Sequence, residues 1–177
     1  LLIYTCVFTI FSATSKANNT QKKTESEEYV LILNSYNESS PWSNSITTPI
    51  VHKIAEIEKM NAYIEHLNLF MVSDSTKIEK FSEALFSRYG STPPRLLFFV
   101  GSMSLIFREE IQALWGDVPA IVCGADPYVY HEEFYRQRDM VSPNESTHMS
   151  ELAKEYNFTY MHTPVYLEES VKLMQRM

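Results

Sequence analysis

Nine consecutive residues, Asn34-Ser35-Tyr36-Asn37-Glu38-Ser39-Ser40-Pro41-Trp42, bring together hydroxyls, amides and two aromatic rings. They follow an apolar run, Tyr29-Val30-Leu31-Ile32-Leu33, and none of them is paired with a base that could activate it. This is binding chemistry: rings stack on a small molecule while hydroxyls and amides fix its orientation. Further polar positions, Ser73 and Asp74, Gly101 and Ser102, and Gly124, Asp126 and Tyr128, also follow apolar runs. Ligands of α/β sheets sit outside the carboxyl ends of the strands. The expected ligand-binding set is therefore Ser35, Tyr36, Asn37, Ser39, Ser40, Trp42, Ser73, Asp74, Gly101, Ser102, Gly124, Asp126 and Tyr128. A plainer role competes for some of them, since Ser73, Asp74 and Ser102 could simply cap helices and Trp42 could staple the first helix.

Catalytic readings fail on spacing. The five histidines, His52, His66, His131, His148 and His162, form no pair at metal-ligand separation, and Cys123 is close to none of them. No metal or cofactor is expected, and the segment reads as a non-enzyme. Cys123, beside Gly124 at a strand end, reads as a small packed residue. A phosphoacceptor domain needs acidic residues where Asn34-Ser35 stand and an Asp where Gly101-Ser102 stands. A dinucleotide loop needs more glycine than the four in this chain. Gly101-Ser102-Met103-Ser104 lacks the second glycine of a nucleophile elbow.

The elements that must position these residues alternate regularly. Tyr29 to Asn34 is a strand; Ile46, Ile50, Val51, Ile54 and Ile57 then share a helical face through about Met60. Pro49 implies a helix starting at Thr48, or a kink in one starting near Ser43. Ala62 to Met71 reads as a second strand. Thr76 and Glu79 read as a capping box for a helix with Ile78, Phe81 and Leu85 inward, ending near Tyr89-Gly90. Arg95 to Val100 is a strand apolar on both faces, and Met103, Phe107, Ile111 and Leu114 mark a third helix closed by Gly116. Val118 to Val122 is a fourth strand. After an irregular, charged His131 to Ser150 come a strand at Phe158 to His162 and a helix from Leu167 to Met177. Right-handed crossovers then give an α/β fold: a mostly parallel sheet with helices on both faces.

Residues 1–17 form an apolar run ending in small residues and read as an export signal short of its start, too brief to span a bilayer. Residues 18–28 read as a polar tether, 29–140 as the first α/β lobe, and 141–177 as a crossover and the beginning of a second lobe. The last helix ends on its own apolar face, as if the chain continued beyond it. A net charge of −7, more negative once the leader with Lys16 is gone, argues against nucleic acid and anionic membrane surfaces. With Cys6 in the leader, Cys123 has no intrachain disulfide partner.

The Tyr29 to Trp42 stretch, with its Asn34-Ser35-Tyr36 and Ser40-Pro41-Trp42 elements, and Gly116-Asp117-Val118-Pro119 leading to Gly124 resemble the periplasmic-binding-protein-like sensor domains of Bacteroidetes-type membrane histidine kinases, including hybrid two-component proteins. The resemblance extends over about Tyr29 to Asp126, with an echo at Thr163 to Ser170. It implies the first lobe of a type I binding fold, a neutral or zwitterionic small molecule held between two lobes, and periplasmic exposure in a membrane-anchored receptor. The partners implied are that ligand, the second lobe and the kinase segments; homodimerisation is left open. Substrate-binding proteins of ABC transporters share the resemblance and give the rival expectation. They often carry an Asp pair where Gly101-Ser102 stands, which tilts the reading towards the sensor branch. A small enzyme using Cys123 or Asp126 is the third class, and no base stands at readable spacing to serve it.

Overall fold

The computed structural model describes residues 28–72, 75–90, 92–130 and 146–162. Along the chain run β1 (Glu28–Asn34), α1 (Pro41–Ala55), β2 (Met60–His66), a short 3-10 turn (Leu69–Met71), α2 (Ser75–Tyr89) and β3 (Leu96–Val100). A second 3-10 segment (Ser102–Phe107) continues into α3 (Arg108–Trp115), followed by β4 (Ala120–Cys123), β5 (Tyr128–Tyr130), β6 (Ser146–His148), α4 (Met149–Glu155) and β7 (Phe158–Met161). The fold is α/β, as expected.

Leu31, Ile32 and Leu33 of β1 have no exposed surface. A strand apolar on both faces is stable only inside a sheet covered on both sides, where each such side chain contributes roughly 1.5–3 kcal/mol. β1 accordingly lies between β2 and β3, and the parallel sheet has the order β2-β1-β3-β4-β7. On one face Ile46, Ile50, Val51 and Ile54 of α1 pack against Val30, Ile32, Phe98 and Val100. On the other, Ile78 and Leu85 of α2, Ile111 and Trp115 of α3, and Met149 and Leu152 of α4 cover Leu31, Leu33, Leu97, Phe99 and Val122. From β1 the chain moves outward to β2, crosses back to β3 and then proceeds the other way. The winding direction therefore reverses between β1 and β3.

Several boundaries differ from the sequence reading. α1 begins at Pro41, with Ser40 as N-cap accepting from the Ser43 N–H at 3.4 Å. Pro49 sits inside the helix, where it withholds an N–H from the Ser45 carbonyl; the isoleucine stripe packed on the sheet holds the helix through it. β2 stops at His66 because Asn68 adopts a left-handed conformation (φ 47°), so Phe70 and Met71 belong to the 3-10 turn. α2 starts at Ser75, one residue ahead of Thr76. The 3-10 start of the third helix advances three residues per turn, which shifts the buried phase to Leu105, Ile106, Phe107, Ile111 and Trp115 and leaves Leu114 42% exposed. Within the stretch read as irregular, β6 pairs antiparallel with β5 and α4 follows directly. β7 joins the first sheet, which therefore runs on past the boundary expected at residue 140. The expected leader, the tether up to residue 27, and the Leu167–Met177 helix lie outside the described residues.

Gly101 tests how tightly β1 and β3 are clasped. Its φ is +86°, and an added Cβ would come within 2.9 Å of both Ser35 Oγ and Tyr36 Cε2. Gly90 also has positive φ, +60°, but open space around it. In urea unfolding, Gly101→Ala is expected to lose more than about 2 kcal/mol and Gly90→Ala about 1 kcal/mol. Equal losses would show that the contact at Gly101 is slack.

Candidate functional site

At the carboxyl end of β1 two polar residues are fully enclosed. Asn34 Nδ2 donates to Ser43 Oγ at 3.2 Å and meets His66 Nδ1 at 3.2 Å, while Oδ1 accepts from the Tyr36 N–H at 3.1 Å. For both ring and amide to be satisfied, His66 must carry its proton on Nε2. This one side chain thus ties β1 to α1, β2 and its own exit loop. Ser35 faces the other way. Its hydroxyl donates to the Gly101 carbonyl at 3.2 Å and accepts from the Ser104 N–H at 2.8 Å, its N–H donates to the Val100 carbonyl, and its carbonyl accepts from the Leu69 N–H. Ser104 Oγ donates to the Gly101 carbonyl as well, at 2.8 Å.

Above this floor stands a row of rings. Tyr36 lies over Gly101, and the far edge of the Trp42 indole lies over Gly124. Tyr36 meets Trp42 edge to face with centroids 5.0 Å apart, and stacks on Phe70 at 4.9 Å. Trp42 is 45% and Phe70 48% exposed. On the β4 side, Ser102 Oγ accepts from the Asp126 N–H at 3.0 Å, and the Tyr160 hydroxyl donates to the Ala125 carbonyl at 3.1 Å, with His162 Nδ1 3.4 Å away. Burial raises the Tyr36 and Tyr160 phenols above their ordinary value, and the Asp126 carboxylate adds to both shifts. Asp126 is therefore within electrostatic reach of both rings.

Of the residues expected to bind, Tyr36, Trp42, Ser102, Gly124 and Asp126 come together on one edge of the sheet. Ser35 and Gly101 belong to the same edge but lie beneath it, buried, with their polar groups engaged inside the fold. Ser40 serves as the α1 cap, while Asn37 and Ser39 are exposed in the exit loop. Tyr128 stands on β5 with its ring edge-on to His148 at 5.2 Å. Ser73 and Asp74 lie outside the described residues. Sequence reasoning missed Phe70, Met71, Tyr160 and the organising role of Asn34. The Asn68 left-handed break was the available signal for the first two.

Cys123 is 7% exposed, and burial pushes its thiol up to about 11. Among the described residues no three of His, Cys, Asp and Glu converge on a point that could hold a metal ion, and no helix is long and apolar enough to cross a membrane. The apolar groove beside α1, about 430 Å³ and lined by Val30, Ile54, Leu96 and Phe98, opens at the amino ends of the strands, away from this edge. No protein-family model, curated protein or solved structure matches the chain.

Two outcomes follow from this geometry. Ser35→Ala strands the buried Ser104 N–H and should cost about 1–3 kcal/mol in urea unfolding, whereas Trp42→Ala should cost about 1 kcal/mol or less; the reverse order would make Trp42 the structural residue. The thiol of Cys123 ionises near 9 when unfolded and near 11 when folded. Between those values the unfolded chain has lost a proton that the folded chain retains, so stability falls as pH rises through that window. Raised phenols such as Tyr89 act in the same direction. Cys123→Ala should flatten the decline measured by chemical denaturation from pH 8 to 11 without abolishing it, and an unchanged slope would contradict the assigned burial.

Proposed function

We propose that this chain is an extracytoplasmic sensor segment of a two-component histidine kinase, and that its five-stranded sheet is the first lobe of a type I periplasmic-binding-protein-like fold. The observation that carries the reading is the reversal of winding between β1 and β3, at whose carboxyl edge the exposed rings of Trp42 and Phe70 flank Tyr36. A crevice at such a reversal is where open α/β sheets meet small molecules. The polar groups below the rings hold loops in place and form no acid–base pair, which favours recognition over catalysis.

In this reading a second lobe completes the cleft, and the whole receptor is exported and anchored in the membrane. Ligand bridges the two lobes, and closure moves the second lobe relative to the membrane. The kinase responds only to the extent that ligand binds the closed form more tightly than the open one. Delivery to an ABC permease would use the same edge; Gly101-Ser102, where transporter relatives often carry an Asp pair, favours the sensor.

The test is a thermal-shift scan of a metabolite library against the complete extracytoplasmic region, repeated with Trp42→Ala. At least one compound should raise the melting temperature. Trp42→Ala should remove that shift while lowering the unliganded melting temperature by no more than about 4 °C. A shift that survives Trp42→Ala would move the binding site elsewhere.

A further inference from the structure

The class of ligand suited to the carboxyl edge follows from what the fold has already consumed. Ser35 is held between the Gly101 carbonyl and the Ser104 N–H, Ser40 accepts the Ser43 N–H, Ser102 accepts the Asp126 N–H, and Asn34 is enclosed. The groups that would wrap a sugar or another polyol are largely committed to the protein itself. Beside the exposed Asn37 and Ser39 of the exit loop, what faces outward is of a different kind: the rings of Trp42 and Phe70 on either side of Tyr36, and the carboxylate of Asp126.

These features share one rim. The Trp42 ring lies over Gly124, two residues before Asp126, and Tyr36 lies over Gly101, next to the serine that holds the Asp126 backbone. The influence of Asp126 on both the Tyr36 and Tyr160 phenols agrees with that placement. Aromatic faces carry negative electrostatic potential and carboxylates carry full negative charge, so the two attract the same partner. The amino end of α1 opens at this rim and would by itself favour an anion. Its effective charge of about half a unit is smaller than the full charge of the Asp126 carboxylate. The chain's net charge of −7 draws cations from a distance in the same sense.

We propose that the ligand of this edge carries a cationic nitrogen with apolar substituents, a protonated amine or a quaternary ammonium, seated against Trp42 and Phe70 with Asp126 as its counter-charge. The proposal rests on the reading of this edge as a ligand site and narrows it. Alkyl groups around the nitrogen spread its charge and weaken its hydration, so it is transferred to the ring faces at low cost and covers them as it binds.

The experiment uses the complete extracytoplasmic region labelled with fluorotryptophan, followed by fluorine NMR at constant ionic strength. Trp42 and Trp115, their signals assigned by single Trp→Phe substitutions, provide a probe and a control, because Trp42 is exposed at the rim and Trp115 is buried in the core. Three probes are titrated: choline, its neutral analogue with a tert-butyl group in place of trimethylammonium, and the carboxylate of matching shape. Choline should shift the Trp42 signal saturably and leave Trp115 unchanged. The neutral analogue should bind about tenfold more weakly, and Asp126→Asn should weaken choline by about the same factor. Binding of the neutral or anionic probe as tightly as choline would overturn the cationic assignment while leaving the edge a ligand site. A Trp42 signal that none of the three moves overturns it too, and the library scan with Trp42→Ala then judges the edge by itself.

Discussion

The structure depends on satisfying two polar side chains that have no access to water at the end of an otherwise apolar strand. Asn34 and Ser35 are both fully buried, and a buried polar group without a partner costs about 1–3 kcal/mol. The fold avoids that cost by bringing Ser43 of α1, His66 of β2, and Gly101 and Ser104 after β3 to within hydrogen-bonding distance. Hydrophobic burial alone would stack these layers but would not set where each strand stops. The two side chains bear on that, because their hydrogen bonds tie the strand end to α1, β2 and the loop after β3.

That arrangement explains why glycine stands at two strand ends. Gly101 carries a positive φ, and its missing side chain leaves room for Ser35 and Tyr36; Gly124, also at positive φ, leaves room for the indole of Trp42. With the loops pinned and the strand tips bare of side chains, the rings of Tyr36, Trp42 and Phe70 form a continuous row along the edge where the winding reverses. The function proposed for the chain belongs to that row. The polar floor positions it, and in the proposed reading a ligand would meet aromatic faces and the nearby Asp126 rather than the buried hydroxyls.

The alternation of apolar runs and amphipathic stretches made the parallel sheet legible, because a strand apolar on both faces, such as Leu31 to Leu33, has only one stable setting. The edge was legible as well, since polar residues that follow such strands must lie at their carboxyl ends. Phase and depth were not. Helical periodicity assumes 3.6 residues per turn, so the 3-10 entry to α3 exchanged Leu114 for Trp115 on the buried side. Ser35 and Trp42 look equally available to a ligand in the sequence, yet one is sealed by its neighbours and the other stands open. Only the packing of β3 against β1 separates them. The short elements β6 and α4 escaped notice because a three-residue strand and a two-turn helix carry too little periodicity to stand out from charged surroundings.

Nuclear magnetic resonance shift mapping of the labelled extracytoplasmic region, using the compound that most raises its melting temperature, is the most direct check on where the proposed ligand would bind. The largest backbone shifts should cluster at residues 36–42, 69–71, 101–104 and 124–126, along the edge above Asn34 and Ser35. Shifts concentrated instead at Ile50, Ile54 and Leu96, in the groove at the opposite end of the strands, would contradict that placement.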